Sequence, residues 1–152
     1  MIEDFDKYPE STIAEGESLT LDGMKLTHLS GKGPMGIASL EKIPGDFPPI
    51  PGRREGKLLT FCIGKNLGPQ RARLDFINAT YSTVSFYHSW VIDKGDVEVH
   101  YYNSKGDPLG SVTLEVSVGD AVLVEFSGKD IAGIEFNMPR HEWWGLDFLK
   151  AQ

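Results

Sequence analysis

The regular alternation of side chains between residues 81 and 103 constrains this chain more than any other feature. Apolar and aromatic residues occupy every second position in 84–90, and the same pattern returns in 97–101. Successive side chains of a β-strand point to opposite faces, so this period predicts two strands, each with one apolar and one polar face. Because the turn-forming residues 93–96 separate them, the pattern indicates that these two strands pair with each other.

Similar short patterns recur along the chain, separated by turns that use many of its 17 glycines and nine prolines. We expect about nine to eleven strands and very little helix. The clearest alternation places four residues on one strand face: Val112, Leu114, Val116 and Val118. A single open sheet of so many strands would leave an apolar face uncovered. We therefore predict an all-β fold, an antiparallel two-sheet β-sandwich that forms a single domain over residues 1–152.

Residues 43–56 form the least regular part of the sequence, since they contain four prolines. We name them the proline-rich segment. A loop of this length within a compact domain is usually either functional or mobile. The pattern therefore predicts a loop without regular strands.

Charge and composition limit the partners of the chain. The net charge is −7 and the basic residues are scattered, so we expect no nucleic-acid partner. No segment approaches the roughly 20 apolar residues of a membrane span, and residues 1–6 lack the pattern of a signal peptide. We therefore expect no membrane insertion, and either a cytosolic protein or one whose signal was removed. Cys62 lies in an apolar run, which predicts a buried, inert thiol. The oligomeric state stays open.

Aromatic residues beside polar ones suggest a ligand site. Sugar rings have flat apolar faces rimmed with hydroxyl groups, so a sugar binder needs an exposed aromatic ring with hydrogen-bonding neighbours. Trp143 and the adjacent Trp144 must point to opposite faces of a strand. Trp144 shares its face with Leu146 and Phe148, so we expect Trp144 in the core and Trp143 exposed. The candidate ligand-binding residues are Trp143, Tyr87, Tyr102, Trp90, Arg140, His141, Glu98 and His100.

Catalysis is an alternative reading of the same residues. Glu98 and His100 share one strand face and have the chemistry of an acid/base pair. The four histidines lie in separate segments without the spacing of metal ligands. A hydrolase or lyase therefore stays as a lesser alternative, and no catalytic residue is assigned.

Several segments resemble the jelly-roll β-sandwich of the galactose-binding-domain-like superfamily, which includes many carbohydrate-binding modules. They are Val84-Ser85-Phe86, the run 97–103 with Gly106 and Gly110, the run 131–136, the run 145–148 and the acidic opening 2–5. The resemblance implies a jelly-roll topology and an extracellular or cell-surface location. It also implies a structural calcium ion held between the first and last strands, where the candidates are Glu3, Asp4 and Asp147.

Together these observations predict a carbohydrate-binding module without catalytic activity. Its ligand would be a carbohydrate or another extracellular molecule, which stacks on Trp143 or Tyr87 and is oriented by Arg140, His141 or Glu98. The main alternative is a structural or adhesive module whose polar face contacts another protein.

Overall fold

The computed structural model describes residues 1–63, 68–140 and 143–152, which form twelve strands and one turn of 3-10 helix at Leu40–Lys42. The strands are β1 (Ile2–Glu3), β2 (Ser11–Ile13), β3 (Ser18–Leu21), β4 (Met24–Ser30), β5 (Met35–Ser39), β6 (Lys57–Phe61), β7 (Gln70–Phe76), β8 (Tyr81–Ser89), β9 (Glu98–Asn103), β10 (Pro108–Thr113), β11 (Val122–Met138) and β12 (Trp144–Ala151). No helix in these described ranges is long and apolar enough to cross a bilayer.

Strand β11 belongs to both sheets of the sandwich. Residues 122–127 pair with β8, whereas residues 133–138 pair with β7 and β9. The register shifts between Ser127 and Ile131, and Asp130 has a positive φ of 65°, so the strand bends there. The first sheet has the order β2-β5-β6-β12-β8-β11, with β1 beside β12. The second sheet has the order β3-β4-β7-β11-β9-β10.

Each pairing between these strands is antiparallel, so the predicted antiparallel β-sandwich is confirmed. The predicted pairing of the strands in 81–103 is wrong, because β8 lies in the first sheet and β9 in the second. Trp90 follows β8 with a φ of 68°, and residues 90–97 carry the chain across to the other sheet. The turn-forming residues therefore connect two layers instead of closing a hairpin.

The core between the sheets is built from the apolar side of this alternation. Trp144 is fully buried, as predicted, and stacks on Phe61 at 4.6 Å between ring centroids. Phe61 also packs on Phe136 at 5.2 Å, and Phe136 meets Phe86 edge-on at 6.0 Å. Burial of one such side chain contributes about 1.5–3 kcal/mol, so this cluster stabilises the packing of the two sheets against each other.

The alternation predicted for 112–118 changes phase after Leu114. Val116 and Val118 are 49% and 51% exposed, whereas Ser117 between them is buried. The Ser117 hydroxyl accepts a hydrogen bond from the Val91 backbone N–H at 3.1 Å and lies 3.0 Å from His88 Nδ1. These polar contacts turn Ser117 inward and the valines outward.

The proline-rich segment packs against the outer face of the first sheet. Leu40, Ile43, Leu58 and Trp90 form a second buried cluster there, against which Phe47 and Trp143 pack. Gly145 on β12 permits this contact, because a Cβ atom at that position would lie 2.6 Å from Leu58 Cδ1 and 3.0 Å from the Trp90 ring. This segment therefore covers part of the outer face of the first sheet, whereas none of the described segments packs over the outer face of the second sheet.

Candidate ligand-binding face

The outer face of the second sheet carries a continuous set of polar side chains on three neighbouring strands. Their alternate neighbours fill the core, so these residues point outward. In register, Tyr102 lies beside Gly133 and Asp75, His100 beside Glu135 and Arg73, and Glu98 beside Asn137 and Arg71. We name these nine residues the polar face: Arg71, Arg73 and Asp75 on β7, Gly133, Glu135 and Asn137 on β11, and Glu98, His100 and Tyr102 on β9.

Each basic side chain of the polar face contacts a carboxylate. Arg71 Nε donates to Glu135 Oε1 at 3.1 Å, and Arg71 Nη2 contacts the same oxygen. Arg73 Nε donates to Asp75 Oδ1 at 2.7 Å. His100 Nε2 lies 3.5 Å from a carboxylate oxygen of Glu98. Exposed pairs of this kind contribute only about 0–1 kcal/mol to stability, so their main effect is to orient the side chains.

Tyr102 supplies the aromatic ring of the polar face. The guanidinium of Arg73 lies over this ring at 5.1 Å from its centroid, close enough for a cation–π interaction. Gly133 makes room for the guanidinium, because a Cβ atom there would lie 2.9 Å from Arg73 Nη2. Within the described residues, neither terminal nitrogen of Arg73 has a hydrogen-bond partner. The Arg73 side chain is therefore held by two contacts while its outer donors stay available.

The polar face continues into a groove of about 710 Å³ at one end of the sheet. Arg73 and Asp75 form one wall and the loop 103–106 forms the other. Asp130 orders this loop by accepting hydrogen bonds from the backbone and hydroxyl groups of Ser104, and these bonds lower the pKa of Asp130. The groove thus joins an ordered loop to the charged part of the polar face.

Three of the predicted ligand-binding residues lie together on the polar face, namely Glu98, His100 and Tyr102. Tyr87 lies on the first sheet, half-buried, with the Arg53 guanidinium 5.7 Å from its ring centroid. The structure thus divides the predicted set between opposite sides of the sandwich.

The predicted tryptophans pack beneath and beside the proline-rich segment. Trp90 is only 4% exposed and stacks on Trp143 at 4.6 Å, so it supports Trp143 and offers no open ring face. The Arg54 guanidinium also covers Trp90, at 5.1 Å from its centroid. Trp143 was predicted to be exposed but is half-buried, and it lines an apolar groove of about 420 Å³ with Ile43 and neighbouring residues.

Arg140, a further predicted residue, contacts the 93–96 turn instead of the polar face. Arg140 is exposed, and its Nη1 lies 3.5 Å from the buried carboxylate of Asp96. This contact suits a residue that closes the 93–96 turn. His141 lies outside the described residues.

The predicted calcium ligands do not share one cluster. Among the described residues, no group of three or more histidine, cysteine or acidic side chains is placed to hold a metal ion. Glu3 is buried and already bound, since it accepts hydrogen bonds from Phe5 N–H and the Tyr8 hydroxyl and lies 3.0 Å from Lys7 Nζ. Asp4 is exposed.

Asp147 differs from the other two predicted ligands. It is buried at the contact with the proline-rich segment, where its Oδ2 accepts the Glu55 backbone N–H at 3.0 Å and its Oδ1 accepts the Phe148 N–H at 2.8 Å. Burial raises the pKa of Asp147 to about 8, and the charges of Asp6 and Asp4 act in the same direction. Calcium stays a prediction for this chain.

Six residues of the polar face were not identified from the sequence: Arg71, Arg73, Asp75, Gly133, Glu135 and Asn137. A signal was present, because charged residues alternate with apolar ones in β7 and the same holds near the end of β11. What the sequence lacked was the pairing of β9 with the second half of β11, which brings these residues beside Tyr102.

Solved structures share this fold. An arabinose-bound MgGH51 α-L-arabinofuranosidase superposes with a TM-score of 0.57 and 10% identity, over 97% of this chain but only 25% of that one. A variant of the family 29 carbohydrate-binding module CBM29-2 gives a TM-score of 0.51 and 10% identity, over 93% of this chain and 88% of that module. TmCBM61 in complex with β-1,4-galactotriose superposes with a TM-score of 0.51 and 11% identity, over 85% of this chain and 88% of that module.

No protein-family model matches the chain, and no curated protein matches it in sequence. At identities of 10–11%, the structural likeness concerns the fold and leaves the ligand open. The comparisons therefore confirm the resemblance at the level of architecture: this chain has the jelly-roll β-sandwich fold of carbohydrate-binding modules.

Proposed function

We propose that this domain binds a carbohydrate on the polar face without transforming it. The observation that carries the proposal is the arrangement of Arg73, which is fixed by Asp75 and the Tyr102 ring while its outer nitrogens stay unpaired within the described residues. An aromatic ring beside planar donors and carboxylate acceptors suits a sugar, which offers an apolar ring face and hydroxyl groups together. The modules and the arabinofuranosidase named above supply a structural precedent.

The sugar would contact Tyr102 and receive hydrogen bonds from Arg73. This assignment places the aromatic contact on Tyr102 instead of Trp143 or Tyr87, because the proline-rich segment packs beside both of those rings. An extracellular or cell-surface location belongs to the same proposal.

The test compares two tyrosines that have similar surroundings. Tyr102 and Tyr87 are both half-buried strand residues with an arginine over the ring, at 5.1 and 5.7 Å, but they lie on different sheets. We expect Tyr102→Ala to weaken glycan binding at least tenfold, or about 1.4 kcal/mol, in isothermal titration calorimetry. Tyr87→Ala should leave affinity within a factor of two. Equal losses in both variants, or a loss only in Tyr87→Ala, would place the ligand elsewhere.

A specific observation favours protein binding as the second candidate function. Ile92, Val116 and Val118 are 49–51% exposed and lie on two hydrogen-bonded segments, 90–92 and 116–118. Exposed apolar residues that lie close together are typical of interaction surfaces. Sedimentation velocity tests this alternative: self-association that is lost in Val116→Ser, in a protein that binds no glycan, would favour a structural or adhesive module.

We also propose calcium as a structural ion beside Asp147. The support is a buried carboxylate that has Asp4 and Asp6 near enough to raise its pKa, and only backbone N–H groups as hydrogen-bond donors within the described chain. Calcium takes oxygen ligands in loose geometry, which suits carboxylates and loop carbonyls. Glu3 does not fit this site, because Lys7 and Tyr8 already occupy its carboxylate.

A further inference from the structure

We infer that the polar face selects uncharged sugars and discriminates against uronic and other acidic sugars. This inference rests on the proposed function and deepens it by naming the ligand class. It comes from the distribution of hydrogen-bond donors and acceptors around Arg73.

The polar face has no excess of positive charge. Its two arginines stand against three carboxylates, those of Asp75, Glu98 and Glu135. Two lysines lie nearby, each with a carboxylate beside it: Lys25 on β4 lies beside Asp75 in register, and Lys105 in the groove lies near Asp130. An anionic ligand would therefore approach a surface whose positive charges are already matched by carboxylates.

The free hydrogen-bonding atoms alternate between donors and acceptors. Arg73 retains its terminal N–H donors, while Asp75 and Glu135 each use one oxygen, Oδ1 and Oε1, for an arginine. The second oxygen of each carboxylate has no partner in the described part of the chain. The unpaired donors of Arg73 therefore lie next to the Asp75 carboxylate, while Glu135 lies beside Arg73 in register and holds Arg71.

Sugar hydroxyl groups match this alternation, because each hydroxyl has one donor hydrogen and two acceptor lone pairs. Neighbouring hydroxyls accept from Arg73 and donate to Asp75 or Glu135 at the same time. A carboxylate on the ligand offers acceptors only, so it satisfies Arg73 but meets the oxygens of Asp75 and Glu135 with like charge. The polar face should therefore bind a sugar ring that carries only hydroxyl groups more tightly than a ring that carries a carboxylate.

The experiment compares oligosaccharides that differ only in oxidation at the exocyclic carbon. Gluco- and manno-oligosaccharides are titrated against glucuronate and mannuronate oligosaccharides of the same linkage and length, at physiological ionic strength and again at high salt. We expect the neutral member of at least one pair to bind at least tenfold more tightly than its acidic counterpart.

Two amide variants test the cause. Asp75→Asn and Glu135→Gln keep the shape of each side chain and remove its charge, so both should reduce the preference for the neutral sugar. Tyr102→Ala should weaken both ligands alike and keep their ratio. Thermal unfolding checks that each variant folds like the wild type.

The outcomes separate this inference from the proposed function. Acidic sugars that bind as tightly as their neutral partners, or more tightly, would overturn the inference and leave carbohydrate binding intact. A preference that survives in both amide variants would also overturn it. Absence of binding across a broad glycan panel would overturn the proposed function, and the inference with it.

Discussion

The raised pKa of the buried Asp147 carboxyl group predicts that the stability of this domain falls as the pH rises above neutral. Its side chain is 2% exposed and accepts two backbone hydrogen bonds, and its burial raises its pKa from 3.8 to about 8. The folded chain therefore holds this proton more tightly than the unfolded chain. The proton on Asp147 therefore stabilises the folded state, fully below pH 3.8 and progressively less as the pH rises towards 8.

The window from pH 6.5 to 8 separates the titration of Asp147 from the shifted titration of His88. His88 is buried, which lowers its pKa from 6.5 to about 4, so it acts in the opposite direction and only below pH 6.5. Each pH unit changes the free energy of unfolding by about 1.4 kcal/mol for one fully linked proton. We therefore expect a loss of about 2 kcal/mol between pH 6.5 and 8.

Urea unfolding followed by tryptophan fluorescence measures this loss at pH 6.5, 7.5 and 8.5. EDTA is present throughout, because a cation beside Asp147 would lower its pKa. Asp147→Asn imitates the protonated acid at every pH, so its free energy of unfolding should vary by less than about 0.5 kcal/mol over the same window. Asp46→Asn removes an exposed carboxylate of the proline-rich segment and should keep the wild-type slope.

Two results would refute this reasoning. One is a wild-type free energy of unfolding that is the same at pH 6.5 and 8.5. The other is a slope in Asp147→Asn as steep as that of the wild type, since the titration would then belong to another group.

Two further predictions concern packing and calcium. Gly145→Ala should destabilise the domain by about 1–3 kcal/mol, because its Cβ would lie 2.6 Å from Leu58, whereas Gly119→Ala, with no atom within 4 Å, should be nearly neutral; chemical denaturation of both variants checks this. Equal effects would show that the side chains of Leu58 and Trp90 move aside freely. Calcium should raise the melting temperature of the wild type and not of Asp147→Asn, because an ion that binds only the folded state stabilises it. A wild-type melting curve that EDTA and added calcium leave unchanged would end the calcium proposal.

Period-two patterning was sufficient to predict the architecture. The alternation in β8 and β9 correctly separates core residues such as Phe86 and Val99 from outward residues such as Tyr87 and His100. Trp144 was assigned to the core for the same reason. Parity works here because each side chain of a strand has only two directions available.

Long-range pairing was not predictable from these patterns. Gly128 and Asp130 are of residue types that favour a turn, whereas β11 continues past them through a bend. A bend and a turn use the same residue types, and only contacts with β7, β8 and β9 select between them. The prediction that β8 pairs with β9 was wrong for a related reason. Residues that favour a hairpin also suit a connection between the two sheets.

The alternation of residues also did not predict which strand faces are covered by other segments of the chain. Trp90 and Tyr87 have the polar surroundings expected of binding residues, but the proline-rich segment packs onto their side of the first sheet. Glu98, His100 and Tyr102 look equivalent in sequence and stay accessible, because nothing in the described chain lies over the second sheet. The position of a residue in the alternation predicts which face its side chain points to, but the path of a distant loop determines whether that face is covered.

Strand β11 also has a consequence for how the domain comes apart. Because it donates and accepts backbone hydrogen bonds with β7, β8 and β9, separating either layer must break the ladder of the same strand. Partial opening of one layer then carries nearly the cost of complete unfolding. Amide protons in β12 and in β7 should therefore exchange with deuterium through one global event and at one common free energy.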